Sequence, residues 1–411
     1  MGARVLFVVP NVPYPLATGG HLRDWQILNL LARRGIRPAL LYFGAGEAHL
    51  LADDAPIHRL AAGVAFGGAR IEEPDGSAWT TLARKLSYVS GAGTTHPFAY
   101  QYDAMRAEER ILREAARVGA EVVVLRSFWC HHAARLQAAG LRVVANCPDS
   151  NTRLAREMVR SVGGLAAKLG PLCNLAGVRR LEATHLGRAD EIWVPTASER
   201  EEIAALGGTA SLVTLPNLVD VDAYPNLASA VPEDDTLLFV ANFAYPPNAN
   251  AARRLLRLVF PALRRLRPRA RLLLVGGGMA PAVRRMAETT AGVEVPGFVR
   301  DLTPWYRRAA VVVLPVRQGA GMLFKTIEAL AHGKATVGFP EAYRGIDADA
   351  GSAFLTSDRD ADLAKIAARL LEDGAARRML GEGARALAAA RLSWDHGVRC
   401  LEESLVARLG G

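Results

Sequence analysis

The chain has 411 residues, half of them hydrophobic and 22% charged, a make-up ordinary for a globular protein and too long for one typical core. Fifty basic against forty-one acidic residues leave a net charge of +9, spread along the chain rather than gathered in a tail. That excess reads as solubility, with attraction to polyanions, nucleotides or an anionic membrane as the alternative; a nucleic-acid partner is not expected. Four cysteines without paired CxxC spacing give no suggestion of a disulfide framework or a zinc site, and no apolar run approaches the ~20 residues that cross a bilayer.

Elements in chain order begin with a strand pattern at 4–9, which lacks the basic region and long apolar run of a signal peptide. A cytoplasmic protein is expected, peripheral at the inner membrane face at most. The loop from Pro10 to Gly20 lies beyond this strand's C-terminal end, where open α/β sheets bind ligands. Gly19 and Gly20 there serve a ligand or an ordinary strand–helix turn with equal weight. The helix that follows carries Leu22, Trp25, Leu28 and Leu31, and Arg23 on it reads as a solvated arginine, with substrate contact as the alternative. Further strand patterns fall at 38–43, 121–126, 141–146 and 190–194. Cys130-His131-His132 is a weak metal lure, because Cys147 and Cys173 sit outside any recurrent ligand spacing. From Arg153 to Arg180, basic residues alternate with apolar stretches, which reads as an exposed basic face or a surface for an anionic bilayer.

Pro, Asn and Asp density from Leu215 to Asp235 reads as a linker, with the boundary near residue 216. Strand patterns resume at 236–241, 270–275, 310–315 and 335–339. Each half thus has enough strands alternating with helices for its own doubly wound parallel sheet. Gly276-Gly277-Gly278 is not a dinucleotide fingerprint, since Pro281 stands where a glycine is needed. The Pro296-Gly297-Phe298-Val299 turn can read a base edge or simply connect two elements. Asp347-Ala348-Asp349 has the form of a metal-holding triplet but is of a kind common by chance. Leu392 to His396 reads as the capped start of a closing helix running through Val398, Leu401, Leu405 and Val406.

The richest stretch is Arg317 to Gly333, which reads as glycine loop and then helix after a buried strand. Gly319 and Gly321 allow close backbone approach to a ligand, and the helix start offers N–H groups and a positive dipole end to an anion. Lys325, Glu328 and His332 share one helical stripe, while Leu323, Ile327, Leu330 and Ala331 form another that can face a core. A phosphate cradle with a lysine and a carboxylate suits a nucleotide-type ligand.

With these pieces in order, residues 236 to 346 resemble the nucleotide-sugar half of a retaining glycosyltransferase of family 4. The resemblance runs from Phe239 to Asn248, through Leu274-Val275-Gly276, Pro296 to Leu302 and Tyr306, to Gly319-Ala320-Gly321, Lys325, Glu328 and Gly333. Gly19-Gly20 and Leu215-Pro216-Asn217 also look like this family. It implies a GT-B fold, two Rossmann-like domains facing a central cleft. Residues 1–215 would bind the acceptor, 216–390 the nucleotide sugar, and 391–411 would form a closing helix packed back on the first domain. It further implies sugar transfer from a nucleoside-diphosphate donor to a hydroxyl of a glycan, lipid-linked or small-molecule acceptor, without cofactor or metal. A GT-B nucleotide-sugar epimerase and a non-catalytic nucleotide-sugar binder are the alternatives.

By the same resemblance, Lys325, Glu328 and Arg317 carry the chemistry at the diphosphate and ribose. Asn242, Gly276, Phe298, Val299, Gly319, Ala320, Gly321 and Met322 line the donor, and Gly19, Gly20, Arg23 and Asp149 lie on the acceptor side. Two departures stand out. Ala320 occupies the place of a glutamate that engages the donor sugar in many members, and Asn242 lies where an arginine and a lysine are usual. His131, His132 and Asp149 follow strands of the first half, but none matches the family's histidine position.

Overall fold

Short runs of valine and leucine become the strands of two parallel sheets in a computed structural model, which describes residues 4–14, 18–43, 55–66, 106–147, 150–161, 164–319, 321–348 and 351–409. Two compact units divide the chain: residues 1–216 with 397–411, and residues 217–396.

The first unit holds β1 (Val5–Val9), β2 (Ala39–Tyr42), β3 (Gly63–Phe66), β4 (Val122–Arg126), β5 (Arg142–Asn146), β6 (Glu191–Val194) and β7 (Ser211–Thr214). They lie in the order β3-β2-β1-β4-β5-β6-β7, every pair parallel. β1 and β4 are buried along their whole length, because helices cover both faces of such a sheet. The chain winds outward in both directions from the β1–β4 pair, so the loops after those two strands border a topological switch point. After β1 the helix Gly19–Arg33 starts at Thr18, whose hydroxyl accepts from the His21 amide at 3.2 Å. β3 and β7 were not anticipated from sequence. Both are sheet edges of four residues, and β3 is only half-buried, so neither carries a continuous apolar run.

Two expectations are corrected in this unit. The closing helix is not continuous: Trp394–Cys400 gives way to single 3₁₀ turns at Leu401–Glu403 and Leu405–Leu409. Buried Glu191 causes the break by accepting from Ser404 Oγ at 2.5 Å and from the Leu405 amide at 2.8 Å, a donor that a helix would have used. The basic face after residue 153 is also partly neutralised. Arg153 is drawn to Glu202 at 3.0 Å and Ser198 at 3.2 Å, and Arg156 reaches Glu202 at 3.5 Å. That helix, Asn151–Ser161, is capped by Glu182, which accepts from the Asn151 and Thr152 amides at 2.9 and 3.1 Å.

The second unit holds β8 (Thr236–Val240), β9 (Arg271–Val275), β10 (Val293–Gly297), β11 (Val311–Leu314), β12 (Thr336–Gly338) and β13 (Leu355–Thr356), ordered β10-β9-β8-β11-β12-β13 and all parallel. Its core packs Leu237, Phe239, Leu272, Leu274, Val311 and Val313 of the sheet against Leu255, Val259, Phe260 and Leu263. Those last four belong to a helix that runs Pro246–Arg254, widens to a π turn at Leu255–Val259 and resumes at Phe260–Leu266. The wide turn immediately precedes Pro261, whose ring and missing N–H spoil the regular ladder. The switch point of this sheet lies between β8 and β11, so the loops after these strands and the helix after β11 share one crevice. Among the described residues no helix is long and apolar enough to cross a membrane.

Candidate functional site

The crevice is built first from backbone. Gly276 sits at φ 137°, and a Cβ there would lie 1.8 Å from the Ala241 carbonyl oxygen. Only glycine lets the loops after β8 and β9 touch, and the Phe243 amide seals the contact by donating to the Gly277 carbonyl at 2.8 Å. The Gly276 amide donates to Gly297 at 2.8 Å, which ties in the turn after β10. Phe298 projects from that turn with 71% of its surface exposed, and Val299 beside it is half-buried.

After β11, Gly319 and Gly321 take φ of 128° and 71°, a backbone that side-chain-bearing residues rarely adopt. The loop is held by Arg344, which donates to the Gly319 carbonyl, and by Asn217, which donates to the Met322 carbonyl at 2.9 Å. Ala320 lies outside the described residues. The helix Phe324–Ala331 follows with Leu323 as its N-cap and no side chain capping it, leaving first-turn amides available to an anion. Ile327, Leu330 and Ala331 are fully buried, as the apolar stripe anticipates, and Leu323 is half-buried.

Lys325 and Glu328 lie side by side on this helix, both half-buried. The ammonium is hydrogen-bonded to Asn248 Oδ1 and stands 5.3 Å from the Phe239 ring centre. Burial lowers its pKa to about 7, with Glu328 opposing the shift. Burial likewise raises the Glu328 carboxyl to about 7, against the Tyr224 hydroxyl, which donates to it at 3.4 Å, and against Lys325. Burial thus disfavours the charged form of both groups, and a polar ligand that accepts from Lys325 and donates to Glu328 would offset it. Asn248 also donates to the Asn242 carbonyl at 2.8 Å, linking the loop after β8 to Lys325.

His332 belongs elsewhere. Although on the same stripe in sequence, it is 1% exposed, and its Nδ1 donates to the Pro225 carbonyl at 3.2 Å, an acceptor that fixes the tautomer. Its ring lies 4.4 Å from Tyr306 and 5.1 Å from Tyr224, and burial lowers its pKa to about 4. Arg317 is exposed at the mouth of the loop, its guanidinium 4.0 Å from the Phe339 ring centre.

The second unit therefore gathers Lys325, Glu328, Gly319, Gly321, Met322, Asn242, Gly276, Phe298 and Val299 at the C-terminal ends of β8 to β11. Tyr224 and Asn248 join them and were not singled out as site residues. The available signal was a polar residue at a helix start, buried in the case of Asn248, and an aromatic in the linker.

In the first unit, the Gly20 carbonyl accepts from Arg126 at 2.9 Å, and Arg126 pairs with buried Asp24 at 2.6 Å. The solvated arginine expected at 23 is corrected. Arg23 is 1% exposed and donates to the Leu215 and Pro216 carbonyls at 2.6 and 3.0 Å and to Asn146 at 3.3 Å. Burial, and then the neighbouring Arg126 charge, lower its pKa to about 10. Asp149 and Asp349 lie outside the described residues. His131 faces the Phe128 carbonyl at 3.2 Å and His132 faces Glu108 at 3.0 Å. Asp347 is exposed and stands 3.5 Å from Arg391. Among the described residues no group of three or more His, Cys, Asp or Glu could hold a metal.

Two parallel Rossmann-like domains in this order are the architecture of the GT-B fold. Solved structures similar over nearly the whole chain include Anabaena HepE in complex with UDP and glucose, at TM-score 0.67 and 14% identity over 98% of this chain and 99% of that one. Sucrose-phosphate synthase from Thermosynechococcus elongatus matches at 0.69 and 16% over 98% of both chains. Staphylococcus aureus TarM, with Fondaparinux, α-GlcNAc-glycerol and UDP, matches at 0.67 and 8% over 97% and 99%. No curated protein matches in sequence. Residues 234–373 match the family described as Glycosyl transferases group 1, which places the match on the unit that carries the crevice. The family match thus covers residues 234–373, while the solved structures show the GT-B fold over nearly the whole chain.

Proposed function

We propose that the chain transfers a sugar with retention of configuration from a nucleoside diphosphate held in the second unit to an acceptor hydroxyl bound by the first. The observation that carries this reading is the Lys325–Glu328 pair at the uncapped start of the helix after β11. Amides of the Gly319–Gly321 loop, the helix N-terminus and Lys325 would hold the diphosphate, with Arg317 alongside. Glu328 would accept from the ribose hydroxyls, and the Gly297–Val299 turn would meet the base. Charge grows on the diphosphate as the glycosidic bond breaks, so fixed donors there stabilise the transition state more than the ground state. HepE, as its complex with UDP-glucose is described, binds such a donor, and a uridine diphosphate sugar is the first donor to test here.

On this reading Gly19 and Gly20 stand on the acceptor side, while Arg23 shapes that side from beneath by holding the Leu215 and Pro216 carbonyls. The test is turnover of the Lys325→Ala variant with the protein shown to be folded. Removing one such donor costs about 3 kcal/mol, a rate loss of roughly a hundredfold. Unchanged turnover would remove Lys325 from the site.

A further inference from the structure

Beside the glycine loop of the second unit lies a cavity of about 460 Å³ lined by Arg253, Arg254, Arg257, Arg317, Asn250 and Gln318. Its arginines come from two separate segments, the helix after β8 and the loop after β11. Among the described residues one carboxylate pairs with them, Asp360, at 2.7 Å from Arg254. Neutral contacts hold Arg253 and Arg317 in place. Arg253 donates to Asn250 at 2.8 Å, and Asn250 donates in turn to Gln318 at 3.1 Å. Arg317 lies 4.0 Å and Arg254 5.5 Å from the centre of the same Phe339 ring. Guanidiniums gathered in one concavity with so little opposite charge repel one another until an anion enters.

The place of the cavity tells which anion. On the reading above, the base lies over β9 and β10 and the diphosphate over the β8–β11 switch. Continuing in the same direction along the sheet edge reaches β11 and β12; Arg317 and Gln318 of the cavity follow β11, and Arg317 and Arg254 lie against Phe339, which follows β12. The cavity is therefore on the sugar side of the diphosphate. We infer that it binds an anionic group, a carboxylate or phosphate, carried by the transferred sugar or by the acceptor. The inference rests on the donor-site reading.

The test titrates the full chain with UDP, UDP-glucose and UDP-glucuronate, which differs from UDP-glucose by one carboxylate, and titrates UDP-saturated protein with glycerol 3-phosphate. Arg257 is exposed and Arg253 contacts only a neutral side chain, so the double variant Arg253→Ala/Arg257→Ala is expected to keep its fold and its UDP affinity. An anion on the sugar makes UDP-glucuronate bind about tenfold tighter than UDP-glucose, the worth of one charge-assisted hydrogen bond. An anion on the acceptor makes glycerol 3-phosphate bind the UDP-saturated protein. In either case the double variant abolishes the gain. The inference is overturned if UDP binds while neither anionic ligand gains, or if the gain survives in the double variant. Absence of binding by UDP, GDP and ADP alike, or equal UDP binding by Lys325→Ala, instead overturns the donor-site reading beneath it.

Discussion

Binding of a nucleoside diphosphate should draw a proton onto the protein, and Lys325 should be its destination. With its pKa lowered by burial to about 7, roughly nine in ten Lys325 side chains are neutral near pH 8. A diphosphate beside the amine favours the ammonium and returns it toward the ordinary lysine range, so about 0.9 proton is taken up per ligand near pH 8. Glu328, at about 7, is mostly ionised there, and ribose hydroxyls donating to its carboxylate keep it so against the diphosphate charge, so its own uptake is small. The diphosphate is fully ionised above about pH 8, so the apparent Kd rises about tenfold per further pH unit until the bound-state pKa is reached. Isothermal titration in buffers of different ionisation enthalpy measures the uptake as a slope. A slope near zero for the wild type, or the same slope in Lys325→Met, would refute the reasoning.

Tyr224→Phe removes the hydroxyl that orients Glu328, and should weaken a nucleoside diphosphate several-fold, about 1 kcal/mol, by titration calorimetry, with little change for inorganic pyrophosphate. Gly276→Ala forces a Cβ onto the Ala241 carbonyl at a left-handed φ, and should destabilise the protein by at least roughly 2 kcal/mol in urea unfolding; a wild-type midpoint would contradict the packing. His332 has its folded pKa lowered to about 4, so the stability it confers is full above its ordinary 6.5 and is lost as pH falls through that window. Thermal unfolding of His332→Gln should fall less between about pH 6.5 and pH 4 than that of the wild type, His185 supplying a remaining drop in the same direction.

What could be read from the sequence followed local physics. β1, β4, β8, β9 and β11 are continuous apolar runs because they are covered on both faces, and the Lys325–Glu328 spacing places both on one side of a helix whatever else surrounds it. Edge strands β3, β7 and β13 are short and lack that signature. Contacts that depend on distant chain were illegible. Asn248 meets Lys325 across 77 positions, Tyr224 meets Glu328 across 104, and Arg23 reaches the Leu215 carbonyl across 192. Arg23 reads as a surface residue until the fold closes over it, and the closing helix reads as continuous until Glu191 takes the Leu405 amide. Motif order across the second half carried the family resemblance, because each piece marks the end of a strand in one sheet.

We propose that the crevice after β8 and β11 of the second unit holds a nucleoside diphosphate through Lys325 and Glu328. Titration calorimetry of the wild type, Lys325→Ala and Glu328→Ala with UDP, GDP and ADP tests it directly. One diphosphate is expected to bind the wild type at one site per chain, and both variants to lose at least about tenfold in affinity. No binding by the wild type, or binding unchanged in both variants, would contradict it.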